Sequence, residues 1–185
     1  MAWLMVGLYV AAIFITLPLT PLLWSVLSSY SQISFRFATS FALLLPFTGC
    51  AFFILRRSRD ATRRVSTTLW RMAGLVLLAT LSLLTVILLA ETPAETLHLL
   101  EYGGLSYFTL RAAKPKQSVG QQTLPAASTY RLYLLCFLFV LLVGSVDEAI
   151  QFILPNRIFQ AKDILLNGLC GVIGLATTTL LQPSP

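Results

Sequence analysis

Charge is what this chain has least of. Asp, Glu, Lys and Arg make up 11% of its 185 residues, against about a quarter in soluble domains. A soluble fold of this size could not conceal the apolar excess, 57% of the residues at a mean hydropathy of +0.81. Cysteine occurs only as Cys50, Cys136 and Cys170, each isolated within an apolar run. That excludes a disulfide framework or a CxxC metal or redox motif and leaves packing as their role. The P-loop, the dinucleotide fingerprint and the G-x-S-x-G elbow are all missing, and no cofactor is expected. A pI near 9.6 without a basic domain interleaved with aromatics gives no means of reading bases, so nucleic acid is excluded as a partner.

What is present is a series of apolar runs, at residues 3–24, 35–55, 72–90, 94–110, 132–153 and 164–181. Each is close to the roughly 20 residues that cross a hydrocarbon core. Backbone groups in lipid must be satisfied internally, and strand-like alternation is absent, so the runs read as helices. The fold expected is all-α, a polytopic transmembrane helical bundle of about six membrane-embedded helices forming one membrane domain over residues 1–185. The first run lacks a basic start and a small-x-small cleavage site and is too long for a signal h-region, so it reads as a retained span. Pro18 and Pro21 predict a kink or an early helix end near its far side.

The few charges are sorted by sign. Arg56, Arg57, Arg59, Arg63, Arg64 and Arg71 cluster between the second and third runs, with Asp60 the only acid among them. Arg111, Lys114, Lys116 and Arg131 flank the fourth and fifth runs without any acid. The positive-inside rule puts both connections in the cytoplasm and, with six spans, both termini as well. Residues 112–130, rich in Gln, Ser, Pro and Ala, read as a flexible cytoplasmic linker. Glu91, Glu95, Glu101, Asp147, Glu148 and Asp163 fall at or near the external ends of their spans.

Glu95, His98 and Glu101 interrupt the fourth run, which is therefore expected to be short or re-entrant. Helical spacing puts Glu95, His98, Glu101 and Tyr102 at adjoining positions on one side. The fifth run carries Asp147 and Glu148. Neighbouring residues project about 100° apart on a helix, so one of the pair is expected to point fully inward, Glu148, with Gln151 on its face. Pro155, Asn156 and Arg157 form a turn. Asp163 suits a helix N-terminus, and Asn167 follows one turn deeper. Gly168, Gly171 and Gly174, spaced by three, permit close helix packing.

Ionisable residues within a span are a functional hypothesis by default. His98, Glu101, Tyr102, Glu148, Gln151, Arg157, Asp163 and Asn167 are expected to converge from three spans into one pocket, with Arg157 bridging Glu148 and Asp163. The bland alternative is an interhelical network with Arg157 and Lys162 as counterions. No metal is expected: Glu95 and His98 have the spacing of a helical di-iron bundle, but such a bundle needs two Glu-x-x-His units and His98 is the sole histidine. Ser106 has no evident base.

The order of these residues resembles the VanZ-like family. Its pattern is carried by His98 and Tyr102, then Asp147, Glu148, Gln151, Pro155, Arg157, Asp163, Asn167, Gly171 and Gly174. Asn156 stands where the commonest form has Gly, and Asn also tolerates the left-handed turn conformation. The resemblance covers residues 91–181 by motif. The first three spans match only as hydrophobic segments, and the basic connections lie outside the pattern. The family is named for a teicoplanin-resistance protein, so the resemblance implies an envelope-associated membrane protein and not a reaction. The function expected is that of a multi-pass protein of the bacterial cytoplasmic membrane that acts near the outer leaflet by binding an envelope precursor or amphiphile. One alternative is a non-catalytic accessory or scaffold subunit of a larger membrane complex. Another is an intramembrane acid/base enzyme drawing on Glu101, Glu148 and His98.

Overall fold

A backbone surrounded by hydrocarbon can hydrogen-bond only to itself, which makes long apolar segments helical. The computed structural model describes residues 1–19, 32–59, 65–90, 95–114, 126–154 and 160–182. Every regular element among the described residues is an α-helix: α1 (Ala2–Thr16), α2 (Gln32–Arg59), α3 (Val65–Leu89), α4 (Leu97–Ala113), α5 (Ala126–Ile153) and α6 (Ala161–Leu181). Each contains most of one of the six apolar runs. By length and composition α3, α5 and α6 can each cross a membrane, and α1 is a shorter apolar helix. The molecule is a helical membrane protein.

Two boundaries follow from local chemistry. Helix α1 ends at Thr16, just ahead of Pro18, and the Leu19 amide donates to the Thr16 carbonyl across the turn at 3.0 Å. Pro21 lies outside the described residues. The α4 helix is continuous but only 17 residues long, about 25 Å at 1.5 Å per residue. That is the lower limit for a span.

At the centre of the bundle, α6 packs on α3, α4 and α5, while α1 lies against α4 and α2 against α3. Small residues bring it there: a β-carbon on Gly171 would stand 2.8 Å from Val140 of α5, and one on Gly174 would meet the backbone of Gly103 of α4. The Ser106 hydroxyl of α4 donates to the Gly171 carbonyl at 2.9 Å. Gly144 with Asn167, Val140 with Gly171 and Tyr133 with Thr179 pair in reverse order, so α5 and α6 run antiparallel. Ser106 with Gly171, and Glu95 with Lys162, pair in the same order, so α4 and α6 run parallel. Arg71 near the start of α3 donates to the Gln182 carbonyl at 2.6 Å, and Tyr9 of α1 donates to Leu100 of α4 at 3.0 Å. The starts of α3 and α5 and the ends of α4 and α6 therefore share one end of the bundle.

The distribution of side chains is inside-out by soluble standards. Trp70, Leu88, Phe152 and Ile153 are each more than 70% exposed, whereas Asp147, Glu148 and Asn167 are fully buried. Lipid is the solvent that makes this arrangement cheap, because it rewards apolar contact outside and penalises unpaired polar groups.

Candidate functional site

A carboxylate removed from water persists only where hydrogen bonds or opposite charge replace its hydration. On α5, Asp147 and Glu148 are both 0% exposed. Adjacent helical residues diverge by about 100°, so burying both requires protein on two sides of α5. On one side, Tyr102 of α4 donates its hydroxyl proton to Asp147 Oδ2. On the other, the backbone amide of Gln160, at the start of α6, donates to Glu148 Oε2 at 3.4 Å. Gln151, one turn further along α5, joins the two: its Nε2 donates to Glu148 Oε1 at 2.9 Å and to Asp147 Oδ1 at 3.3 Å.

This corrects one expectation: Glu148 is not the only one of the pair to face inward. Tyr102 finds Asp147 as its partner. Asp147 is the residue that the sequence reading left out of the cluster. Its signal was its place beside Glu148, and what hid it was the assumption that α5 has a single covered face.

From α4, His98 enters with Nδ1 at 3.4 Å from Glu101 Oε2, an ion-pair distance that does not amount to a hydrogen bond. Its ring centroid lies 5.7 Å from that of Tyr102. Glu101 is the open side of the group, its side chain 27% exposed. Lys162, expected as a counterion of the network, is paired with Glu95 at 3.7 Å. From α6, Asp163 lies in the first turn, three residues after the N-cap Gln160, and is buried. Asn167 follows on the same face and packs on α5, where a β-carbon at Gly144 would stand 2.9 Å from the Asn167 β-carbon. Neither Nδ2 nor Oδ1 of Asn167 has a hydrogen-bond partner among the described residues.

Three helices thus contribute to one polar focus. His98, Glu148 and Asp163 bring donor atoms within 4.8 Å of one another. Tyr102, Asp147 and Gln151 brace this focus from α4 and α5, Glu101 stands beside His98, and Asn167 lies one turn below. Arg157, and with it the expected bridge to Glu148 and Asp163, lies outside the described residues. Ser106 is a packing donor to Gly171 and takes no part. Chemically, the group offers carboxylate oxygens, an imidazole nitrogen and an amide to a polar moiety arriving past Glu101.

The opposite face of α4 has a contrasting surface. There Leu99, Leu100 and Gly103 line an apolar cavity of about 390 Å³ with Phe47 of α2 and Gly174 and Leu181 of α6.

A family model described as VanZ/LLP1 matches residues 6–182 of the chain. The match runs from within α1 to just beyond α6, and so takes in the first three helices, whose sequences carry the pattern only as apolar segments. No curated protein and no solved structure matches the chain.

Proposed function

The chain belongs to the VanZ/LLP1 family, and from that premise we propose that it is a multi-pass protein of the bacterial cytoplasmic membrane that binds the polar head of an envelope precursor or other amphiphile at the outer leaflet. The observation that carries this reading is the convergence of Asp147, Glu148 and Asp163 with His98 and Asn167 inside a helix interface. Packing alone would place apolar residues there. Several carboxylates held together out of water cost free energy unless a partner repays it.

The orientation rests on charge. Arg71, Arg111 and Arg131 stand at the bundle end shared by the starts of α3 and α5 and the end of α4, which the positive-inside rule assigns to the cytoplasm. Trp70 and Tyr130, at the starts of α3 and α5, are exposed there, where amphipathic rings favour the membrane-water boundary. The carboxylate cluster occupies the other end and so faces the outer leaflet, with both termini inside. The apolar cavity on α4 supports the same reading, since it suits a hydrocarbon chain.

Native mass spectrometry of the protein extracted in mild detergent tests the proposal. The expected result is a co-purifying amphiphile that is lost in Glu148→Gln and Asp163→Asn. A stoichiometric protein partner with no retained amphiphile would replace this reading with that of an accessory subunit.

A further inference from the structure

We propose that His98, Glu148 and Asp163 form a mononuclear binding site for a divalent transition cation of the zinc or manganese type. This goes beyond headgroup binding and does not depend on it. The spacing along α4 argued only against a di-iron bundle, which needs two Glu-x-x-His units. A single ion held by one residue from each of three helices is a different site, and no one stretch of sequence shows it.

The donor set is the first argument. The three residues are each at least nine-tenths buried, and each offers a ligand atom within 4.8 Å of the other two. Around a tetrahedral zinc with bonds near 2.1 Å, ligand atoms stand about 3.4 Å apart, so closing on an ion takes a side-chain movement of roughly 1 Å. One imidazole and two carboxylates suit zinc or manganese better than calcium or magnesium, which favour all-oxygen shells. Charge balance agrees: two carboxylates and a neutral imidazole around a divalent ion sum to zero, the least costly state in a low-dielectric interior.

The surroundings supply two further observations. Glu101 Oε2 stands 3.4 Å from Nδ1 of His98, short of a hydrogen bond, so a small turn of the ring would complete the carboxylate–histidine–metal relay that orients metal-binding histidines and leave Nε2 as the ligand atom. Asn167 is fully buried with both amide atoms unpartnered among the described residues. It lies one turn below Asp163 on α6 and packs on Gly144, one turn below Glu148 on α5. An orphaned buried amide leaves its desolvation uncompensated. A water in the open fourth position of the ion, hydrogen-bonded by Asn167, would remove that cost.

The test uses the whole protein in detergent, stripped with a chelator and dialysed against zinc, manganese or calcium. Metal content is read by elemental analysis, and the melting temperature is read in parallel. The expected result is one zinc or manganese ion per chain and a raised melting temperature, with no such gain from calcium. His98→Ala, Glu148→Gln and Asp163→Asn lose the ion. Asn167→Ala and Glu101→Ala keep it with affinity about 10- to 100-fold weaker, and because Glu101 is partly exposed that variant remains readable if a ligand variant fails to fold. Ser106→Ala, two turns along α4, loses packing but keeps the ion. A parent protein that takes up no ion, gains equally from calcium, or shares its stoichiometry with all three ligand variants would overturn the site. None of these readouts involves an amphiphile, so their failure is distinct from failure of headgroup binding.

Discussion

Gly174 of α6 meets Gly103 of α4 so closely that a β-carbon on Gly174 would stand 2.6 Å from both the Cα and the carbonyl oxygen of Gly103. The reverse is not true: a β-carbon on Gly103 would meet nothing nearer than 3.9 Å. Gly174→Ala is therefore expected to force the helices apart and destabilise the protein by about 1–3 kcal/mol, while Gly103→Ala stays near the parent. Thermal unfolding in a single detergent checks the asymmetry, and equal effects would mean that the crossing is held elsewhere.

Tyr102 and Asp147 form a fully buried pair that links α4 to α5. Tyr102→Phe leaves the carboxylate, among the described residues, with Gln151 as its remaining donor and is expected to cost about 1–3 kcal/mol. Asp147→Asn retains an acceptor and costs less. A double-mutant cycle should return a coupling of about 0.5–3 kcal/mol, and additive effects would break the link between α4 and α5 inferred here.

Glu148→Gln separates a structural cluster from a functional one. Glutamine keeps an acceptor for the Gln160 amide but removes the charge. If the cluster serves binding, the variant melts near the parent and loses its amphiphile and any envelope phenotype. A melting temperature that falls together with abundance, the phenotype following both, would make the cluster structural only.

Orientation can be read from thiol labelling. Cys136 and Cys170 are 1% exposed, and Cys50 lines the apolar cavity, so none should react with a membrane-impermeant maleimide. Lys114→Cys, at the end of α4, is expected to label only from the cytoplasmic side. Gln160→Cys is expected to label only from outside, its backbone amide still free to serve Glu148. Labelling of both from the same side would sink the topology.

How much of this was legible depended on whether the cause was local. All six helices were visible because lipid imposes helicity on any long apolar run, and Pro18 marked the end of α1 by its missing amide. The shortness of α4 was readable from Glu95, His98 and Glu101. The inward face of α6 was readable too, from Asp163, Asn167 and the spaced glycines. Asp147 was not, because its burial depends on α5 having α4 on one side and the start of α6 on the other, a fact of assembly that no periodicity encodes. Gly144 escaped notice for the same reason: it looks like a stray helix breaker until Asn167, the partner that needs its missing β-carbon, is known. The pairing of Lys162 with Glu95 likewise follows from the parallel course of α4 and α6.

That course has a consequence for biogenesis. The residues that complete the polar focus arrive last, on the α5–α6 hairpin, whereas His98, Glu101 and Tyr102 of α4 leave the ribosome well before it. Since chains fold as they are made, the nascent protein passes through a stage in which α4 sits in the insertion machinery with its Tyr102 phenol still without Asp147 and its ionisable side chains unsheltered, a state lipid disfavours. Release of α4 into the bilayer should therefore wait for the hairpin, and a ribosome stalled before Asp147 is made should leave α4 open to crosslinking with the translocon.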